Sequence, residues 1–275
     1  MGRALAAGQR RLGPGTPRRL CLGGAVVTLA VSSAAAAVAW GLAELGARLG
    51  PPGVLLEALA LKAVLSVRGL AAAAGQVARH LAGGDLASAR TAVGVHLVSR
   101  PTATLDGEHV ASAAIESVAE NLTDSVLAPL LFYAVLGLPG AVAYRVVNTA
   151  DAMFGYRAGD LAYFGRVTAR LDDLLNLGPA RVAALLLVVA AVPAGCDARR
   201  GWVVMWRDHA RTASPNAGWT MAAMAGALGV RLEKPGHYVL GDKDLPAPAD
   251  VPRSLAILGW SALGSAALAA AIAVI

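Results

Sequence analysis

What this chain has little of narrows its identity before any motif does. Of its 275 residues only 15% are charged and 5% aromatic, and there are two cysteines, Cys21 and Cys196. The cysteines stand far apart, with no Cys-x-x-Cys or Cys/His spacing around either, so neither a zinc site nor a disulfide framework is supported. Both are expected to be inert apolar residues. Basic residues are not interleaved with aromatics, which argues against nucleic acid as a partner. No Walker A loop, Gly-x-Ser-x-Gly elbow, Gly-x-Gly-x-x-Gly turn or His-Glu-x-x-His is present, so ordinary P-loop, Rossmann and zinc-protease mechanisms are not supported. Ser/Gly linkers, blocks of like charge and internal repeats are also missing, and a single membrane-embedded domain over 1–275 is expected.

What is present is apolar. Hydrophobic residues make up 56% of the chain and the mean hydropathy is positive, the composition of an integral membrane protein. The expected fold class is all-α: a polytopic helical membrane protein with about 3–5 membrane segments, some of them re-entrant or interfacial. Apolar segments run at about 22–41, 54–74, 125–147, 179–195 and 254–275. The first and last are clean spans. The second carries Glu57, Lys62 and Arg68 and is either a bundle-facing span or an interfacial helix continuing through Gln76 and Arg79. The third is interrupted by Gly137-Leu-Pro-Gly140, and the fourth is short before Pro193.

The formal charge is +6, and in a membrane protein scattered arginines suggest orientation and anionic lipid. Arg3, Arg10, Arg11, Arg18 and Arg19 form a basic tail over 1–20. The run from Cys21 to Trp40 imitates a secretory signal peptide but is about long enough to span a bilayer (roughly 20 residues), so an uncleaved anchor is expected. The arginines then place the N-terminus in the cytoplasm.

Three polar stretches, 84–124, 144–178 and 196–253, hold most of the chemistry. In the first, Glu116, Glu120 and Asp124 fall at i, i+4 and i+8 of a predicted helix. Like charges at that spacing repel, and the apolar sequence after Asp124 makes unpaired carboxylates costlier. Something cationic is therefore expected against that face: a metal ion, a phosphate-bound metal, or an arginine from elsewhere in the chain. His109, seven residues before Glu116, is within reach of the stripe on the same face, though an ordinary polar histidine is the simpler reading.

In the second stretch Tyr144, Asn148 and Asp151 share a helical face with Arg145 on its flank, Gly155 ends the helix, and Tyr156-Arg157 begins a loop. Further on, Arg166, Arg170 and Asp173 align, as do Asp172 and Asn176; i,i+4 ion pairs on a solvated helix are an equally good reading there. In the third stretch Ser214-Pro-Asn-Ala-Gly-Trp219 is a turn opening into a helix that Ser214 or Asn216 would cap. Such an N-terminus favours phosphate, with Arg207 and Arg211 upstream. Gly218, Ala222 and Gly226 recur every four residues, the mark of a close helix contact.

Taken in order, Glu116-Ser-Val-Ala-Glu-Asn121 with Asp124, Tyr144-Arg-x-x-Asn-Thr149, Gly155-Tyr-Arg157, Ala169-Arg-Leu-Asp-Asp173 and Ser214-Pro-Asn-Ala-Gly-Trp219 resemble the membrane-bound adenosylcobinamide-phosphate synthase family, CobD or CbiB. The resemblance covers a core of about 55–232. It implies cobalamin biosynthesis by amide ligation: a propionate of adenosylcobyric acid joined to aminopropanol or its phosphate. ATP and Mg²⁺ are expected from the family, not from a motif. Other cobalamin-pathway enzymes are conceivable partners beside these substrates and membrane lipid, and the implied location is the bacterial inner membrane.

The resemblance marks positions, and side-chain chemistry suggests their roles. Glu116, Glu120 and Asp124 suit Mg²⁺; Arg145, Arg157 and Arg170 suit phosphate or corrinoid carboxylates. Glu120, Asp151 and Asp173 are the candidate catalytic groups, the two aspartates for orienting or deprotonating the amine. Asn121, Asn148, Tyr156, Ser214 and Asn216 complete the candidate substrate contacts. The chain departs from the family pattern in lacking its initial apolar segment and Gly-Asp-Pro…His-Pro-Val loop, which suggests a truncated or misassigned start. It also carries Val98-Ser-Arg-Pro-Thr102 where an acidic residue is usual, and has Ala213 and Met221 where His and Glu are common. A non-enzymatic sensor, as in AmpE-like proteins, and a cation-coupled transporter are the alternatives.

Overall fold

The computed structural model describes residues 1–155 and 159–274. Along the chain α1 (Gly2–Leu12) precedes α2 (Pro17–Leu49), α3 (Pro51–Val64), α4 (Val67–Ala82), α5 (Leu86–His96) and α6 (Gly107–Leu122). A π-helical turn, Thr123–Leu127, leads into α7 (Ala128–Phe154), and α8 (Leu161–Phe164), α9 (Arg166–Leu175) and α10 (Leu177–Ala191) follow. After α11 (Ala198–Asp208) and a 3₁₀ turn at His209–Arg211 come α12 (Ala217–Leu228), a hairpin of β1 (Leu232–Lys234) and β2 (Tyr238–Leu240), and α13 (Asp250–Ala273).

The all-α membrane class holds. Three helical runs, Pro17–Leu49, Gly107–Phe154 and Asp250–Ala273, are long and apolar enough to cross a membrane, and a fourth is added if α9 and α10 count as one broken span. Helix α2 begins where Thr16 Oγ1 accepts the Arg19 N–H at 3.4 Å and Pro17 occupies the first turn, the arrangement that satisfies a helix start. Its 33 residues reach about 50 Å, well beyond a hydrocarbon core of about 30 Å. Leu22, Val26, Leu29, Val38 and Trp40 on it are exposed, which suits lipid and not water.

The 54–74 segment is neither of the single elements expected of it. Leu65 takes an extended conformation, φ −92 and ψ 145, and divides it into α3 and α4. Glu57 accepts the Tyr133 hydroxyl at 3.0 Å, so its carboxylate is hydrogen-bonded within the protein. The Gly137-Leu-Pro-Gly140 break is real: Gly137 sits at φ 66 and ψ −166 inside α7, a conformation that glycine adopts at little steric cost. The 15 residues of α10 reach about 22 Å, too short to cross unaided.

Two compact units emerge, one from Met1–Leu65, Ala128–Asn176 and Ala269–Ile275, the other from Ser66–Leu127 and Leu177–Leu268. Each is assembled from separate stretches of chain, so neither is set off by a linker or a composition change. In the first unit α2 packs on α7, α3, α8 and α9. Leu5, Leu20, Val146, Ala150, Phe154 and Phe164 form one apolar cluster, with Phe154 and Phe164 edge to face at 4.9 Å. The Thr28 and Thr168 hydroxyls meet at 2.8 Å between α2 and α9.

In the second unit α12 is buried along its whole length against α11, α10 and α6. The small-residue recurrence has its structural meaning here. A Cβ on Gly226 would lie 2.5 Å from the Arg200 carbonyl oxygen and 2.8 Å from Gly201 Cα, so α11 and α12 touch through backbone. The hairpin is the departure from all-helical expectation. Pro235 and Gly236 make its turn: Gly236 has φ 74 and the His237 N–H donates to the Lys234 carbonyl at 2.9 Å, as a type II turn requires.

Candidate functional site

The structure distributes the candidate residues over both units. In the second unit the carboxylate stripe does not stay uniform. Glu116 is 5% exposed, Glu120 is exposed, and Asp124 is intermediate. Asp124 lies on the π turn, whose i→i+5 bonding puts more residues in a turn and so departs from the strict α-helical repeat. Ser125 of that turn donates to Asn121 Oδ1 at 3.0 Å, Asn121 Nδ2 donates to the Ser117 carbonyl at 3.0 Å, and the Ser125 carbonyl accepts the Ser66 N–H at 3.1 Å.

Glu116 is the centre of a buried network. Ser112 Oγ donates to its Oε1 at 2.8 Å, the Tyr238 hydroxyl donates to its Oε2 at 2.7 Å, and Arg100 Nη2 lies 3.4 Å from the same oxygen. Ser112 Oγ also accepts the Glu233 N–H at 2.9 Å. One carboxylate thus ties α6 to the loop before it and to both strands of the hairpin. Of the three cations open to this face, an arginine from elsewhere in the chain is the one that meets Glu116. Burial, then the negative charge of Glu116 and the hydrogen bond to it, raise Tyr238 above the ordinary tyrosine value, so it remains a donor at neutral pH.

No group of three or more His, Cys, Asp and Glu side chains among the described residues is arranged to hold a metal ion. Glu116 accepts from Ser112 and Tyr238 and faces Arg100, so both of its carboxylate oxygens are already engaged within the protein. His109 does not join the stripe. Its Nδ1 lies 2.8 Å from Asp106 Oδ1, the N-cap oxygen that accepts the His109 N–H; that backbone bond, helped by the ring, holds Asp106 below the ordinary carboxylate value against its burial.

Ser214 caps the entry to α12, accepting the Asn216 and Ala217 N–H groups at 3.2 and 3.3 Å. Asn216 Oδ1 accepts from Arg181 Nη1 at 2.8 Å. Arg207 and Arg211 are ion-paired: Arg207 Nη2 lies 2.7 Å from Asp208 Oδ2 and Arg211 Nε 3.1 Å from Asp208 Oδ1. Arg207 and Arg200 also meet Asp242. Asp208 has a fully buried side chain and accepts the Gly241 N–H at 2.8 Å. Burial alone would raise it, but the bonds from Arg207 and Gly241 and the charges of Arg207 and Arg211 hold it below the ordinary carboxylate value.

In the first unit α7 and α9 share a second buried network. Asn148 Nδ2 donates to Asp172 Oδ1 at 3.3 Å and Asn176 Nδ2 to Asp172 Oδ2 at 3.0 Å. Tyr144 donates to Asn176 Oδ1 at 2.9 Å, and Arg145 Nη1 to Asn148 Oδ1 at 3.1 Å. Both amides are thereby fixed with their N–H groups toward one carboxylate. Asp172, 9% exposed, is the acceptor at its centre; Asp173 and Asp151 are intermediate and Arg170 is exposed. Tyr156 and Arg157 lie outside the described residues.

Sequence reasoning passed over Arg100, Ser112, Arg181, Asp208 and Tyr238. The Lys-Pro-Gly-His turn was the available signal for Tyr238, since Pro-Gly between apolar residues marks a hairpin. Asp172 and Asn176 were aligned at i,i+4 without being chosen.

Together these features define a class: an α-helical protein built to cross a membrane, in which the few buried charges of an apolar chain are gathered into hydrogen-bonded networks. Within that class the chain belongs to the CobD/Cbib protein family, whose model matches residues 1–258. It is 46% identical over 206 residues to a "Cobalamin biosynthesis protein CobD" of Dehalococcoides mccartyi, covering 74% of this chain and 66% of that one. A "Probable cobalamin biosynthesis protein CobD" of Methanothermobacter thermautotrophicus is 48% identical over 192 residues, 70% of this chain and 64% of its own. The "Cobalamin biosynthesis protein CobD" of Citrobacter koseri is 41% identical over 241 residues, 87% and 75% of the two chains. The chain thus spans just under two thirds of the length of the first two relatives. No solved structure matches it.

Proposed function

We propose that this chain is a membrane-bound ligase of cobalamin biosynthesis, forming adenosylcobinamide or its phosphate from adenosylcobyric acid and aminopropanol or aminopropanol phosphate. The observation that carries the reading is its membership of a family whose relatives, 39–48% identical, bear cobalamin-biosynthesis names. Buried ionisable groups in a membrane protein are costly and tend to mark function, and Glu116 and Asp172 are two such groups.

In this proposal ATP, with its Mg²⁺, is a substrate. The propionate oxygen attacks the γ-phosphorus, giving an acyl phosphate and ADP; the amine nitrogen then attacks the acyl carbon, phosphate leaves, and the amine proton passes to a carboxylate. No step is assigned to a resident metal. In the first unit Arg145, oriented by Asn148, and the exposed Arg170 are assigned to substrate anions, and Asp151 or Asp173 to the amine. In the second unit Glu120 is the candidate catalytic carboxylate, Asn121 and Asn216 are assigned to substrate contacts, and Ser214 positions Asn216 through its cap. Glu116 is reassigned to holding Tyr238 and Arg100 in place. The proposed location is the inner membrane of a bacterium, with the basic tail of 1–20 in the cytoplasm.

The test is amide formation by detergent-purified protein given adenosylcobyric acid, aminopropanol phosphate and MgATP, with Glu120→Gln beside it. We expect product from the parent chain and at least a hundredfold less from the variant, as for loss of a general acid or base. No product from a folded, monodisperse sample refutes the reading; equal product from the variant refutes the role of Glu120.

A further inference from the structure

Arg181, on the first turns of α10, is a half-buried guanidinium whose bonds are all to neutral groups. Its Nη1 donates to the Leu177 carbonyl at 2.7 Å and to Asn216 Oδ1 at 2.8 Å, and its Nη2 donates to the Pro215 carbonyl at 3.3 Å. Its central carbon stands 5.0 Å from the Trp219 ring centroid, and the His209 ring lies 4.0 Å from that indole at a tilt of 32°. No carboxylate among the described residues pairs with it. Arg200, Arg207 and Arg211, by contrast, each meet Asp208 or Asp242.

An arginine offers five N–H groups. Three are taken here, leaving the Nε–H and one Nη2–H. A mobile surface arginine would lose much side-chain entropy on binding a ligand. Arg181 has already lost it, since three carbonyl-type acceptors and an indole ring hold the side chain, yet nothing that holds it neutralises its charge. A fixed guanidinium with free N–H groups and no counter-charge suits a planar or tetrahedral oxyanion bound through two parallel hydrogen bonds. The argument does not depend on the start of α12, where Ser214 accepts the Asn216 and Ala217 N–H groups.

We propose that Arg181 is an oxyanion-binding residue of the second unit, taking a phosphate group presented by a soluble phosphorylated molecule or by an anionic lipid headgroup. Trp219 carries the guanidinium on its face, and Asn216 and the Pro215 carbonyl set its angle. The proposal is independent of the ligase reading: anion binding without turnover leaves it intact while that reading fails.

The experiment measures binding of radiolabelled pyrophosphate to the full chain in detergent, for the parent, Arg181→Lys and Arg181→Met. Lysine keeps the charge and the contact with Trp219 but loses the paired N–H groups. Loss of a bidentate charge-assisted contact is expected to weaken binding roughly tenfold to a hundredfold in Arg181→Lys, and further in Arg181→Met. The same measurement in phosphatidylglycerol and phosphatidylcholine nanodiscs separates the two sources. Binding blocked only by phosphatidylglycerol identifies a lipid headgroup as the occupant, and binding in both discs identifies a soluble anion. Equal affinity of parent and Arg181→Lys overturns the proposal. So does a parent chain that binds neither pyrophosphate nor phosphatidylglycerol. If Arg181→Met does not fold, Arg181→Lys alone decides.

Discussion

Removing the Tyr238 hydroxyl tests whether Glu116 is the fastening of the hairpin. Tyr238→Phe keeps the ring and deletes one donor. The bond lost is short, 2.7 Å, and its acceptor is a buried carboxylate. Hydrogen bonds to charged acceptors contribute about 1.5–3 kcal/mol, so the hairpin should open roughly tenfold to a hundredfold more often. After the change Glu116 Oε2 retains the 3.4 Å contact with Arg100 while Oε1 keeps Ser112, so the carboxylate is weakened in its partners but not abandoned, and the unit is expected to fold. Hydrogen exchange is the assay, because it reads local opening segment by segment. The amides of Leu232–Leu240 should exchange at least tenfold faster, with those of α13 unchanged. A change in the hairpin of less than threefold would sink the claim that Glu116 holds it. The alkaline limb provides a second reading. Tyr238 is raised above the ordinary value of about 10 by burial and by Glu116, so its contribution is present below about pH 10 and is lost as pH rises toward its folded value. Tyr238→Phe should flatten that alkaline loss.

The acid limb belongs to Asp208. Because its carboxyl is held below the ordinary value, its stabilisation is present above about pH 4 and is lost as pH falls through the folded value; thermal unfolding of the second unit should soften below pH 4 in the parent and much less in Asp208→Asn. That variant leaves the Gly241 N–H and two arginines short of an acceptor, and should lower stability at pH 7 by about 2 kcal/mol; an unchanged melting temperature would contradict it. Gly226→Val forces a side chain into the Arg200 backbone and should cost about 2 kcal/mol or more through overpacking, measured as lost folded yield, whereas Gly259→Ala, with open space around it, should be neutral. Asp172→Asn removes the acceptor shared by Asn148 and Asn176 and, if the first unit handles substrate, should cut ligase turnover at least tenfold while helicity by circular dichroism stays at the parent level; unaltered turnover would remove that network from the proposed mechanism.

By itself the sequence determined the membrane class, the first and last apolar spans, the break at Gly137, a cap at Ser214 or Asn216 and the close packing through Gly226. All of these follow from local rules. Hydropathy over a span, a glycine free to take positive φ, a hydroxyl three residues before a helix and a four-residue repeat of small side chains act within a few turns of chain. The carboxylate spacing also called for a cation against the face that Glu116 occupies. Which cation met Glu116 was a tertiary matter: Arg100 is 16 residues away and Tyr238 is 122, and no spacing rule links them. The choice of Asp172 over Asp173 had the same origin, since neighbouring residues on a helix point about 100° apart and only the packing of α9 on α7 decides which one faces the amides. The hairpin was readable at its Pro-Gly turn, but its purpose was not, because a buried carboxylate becomes tolerable only when distant donors arrive together, and that meeting exists in the folded chain alone.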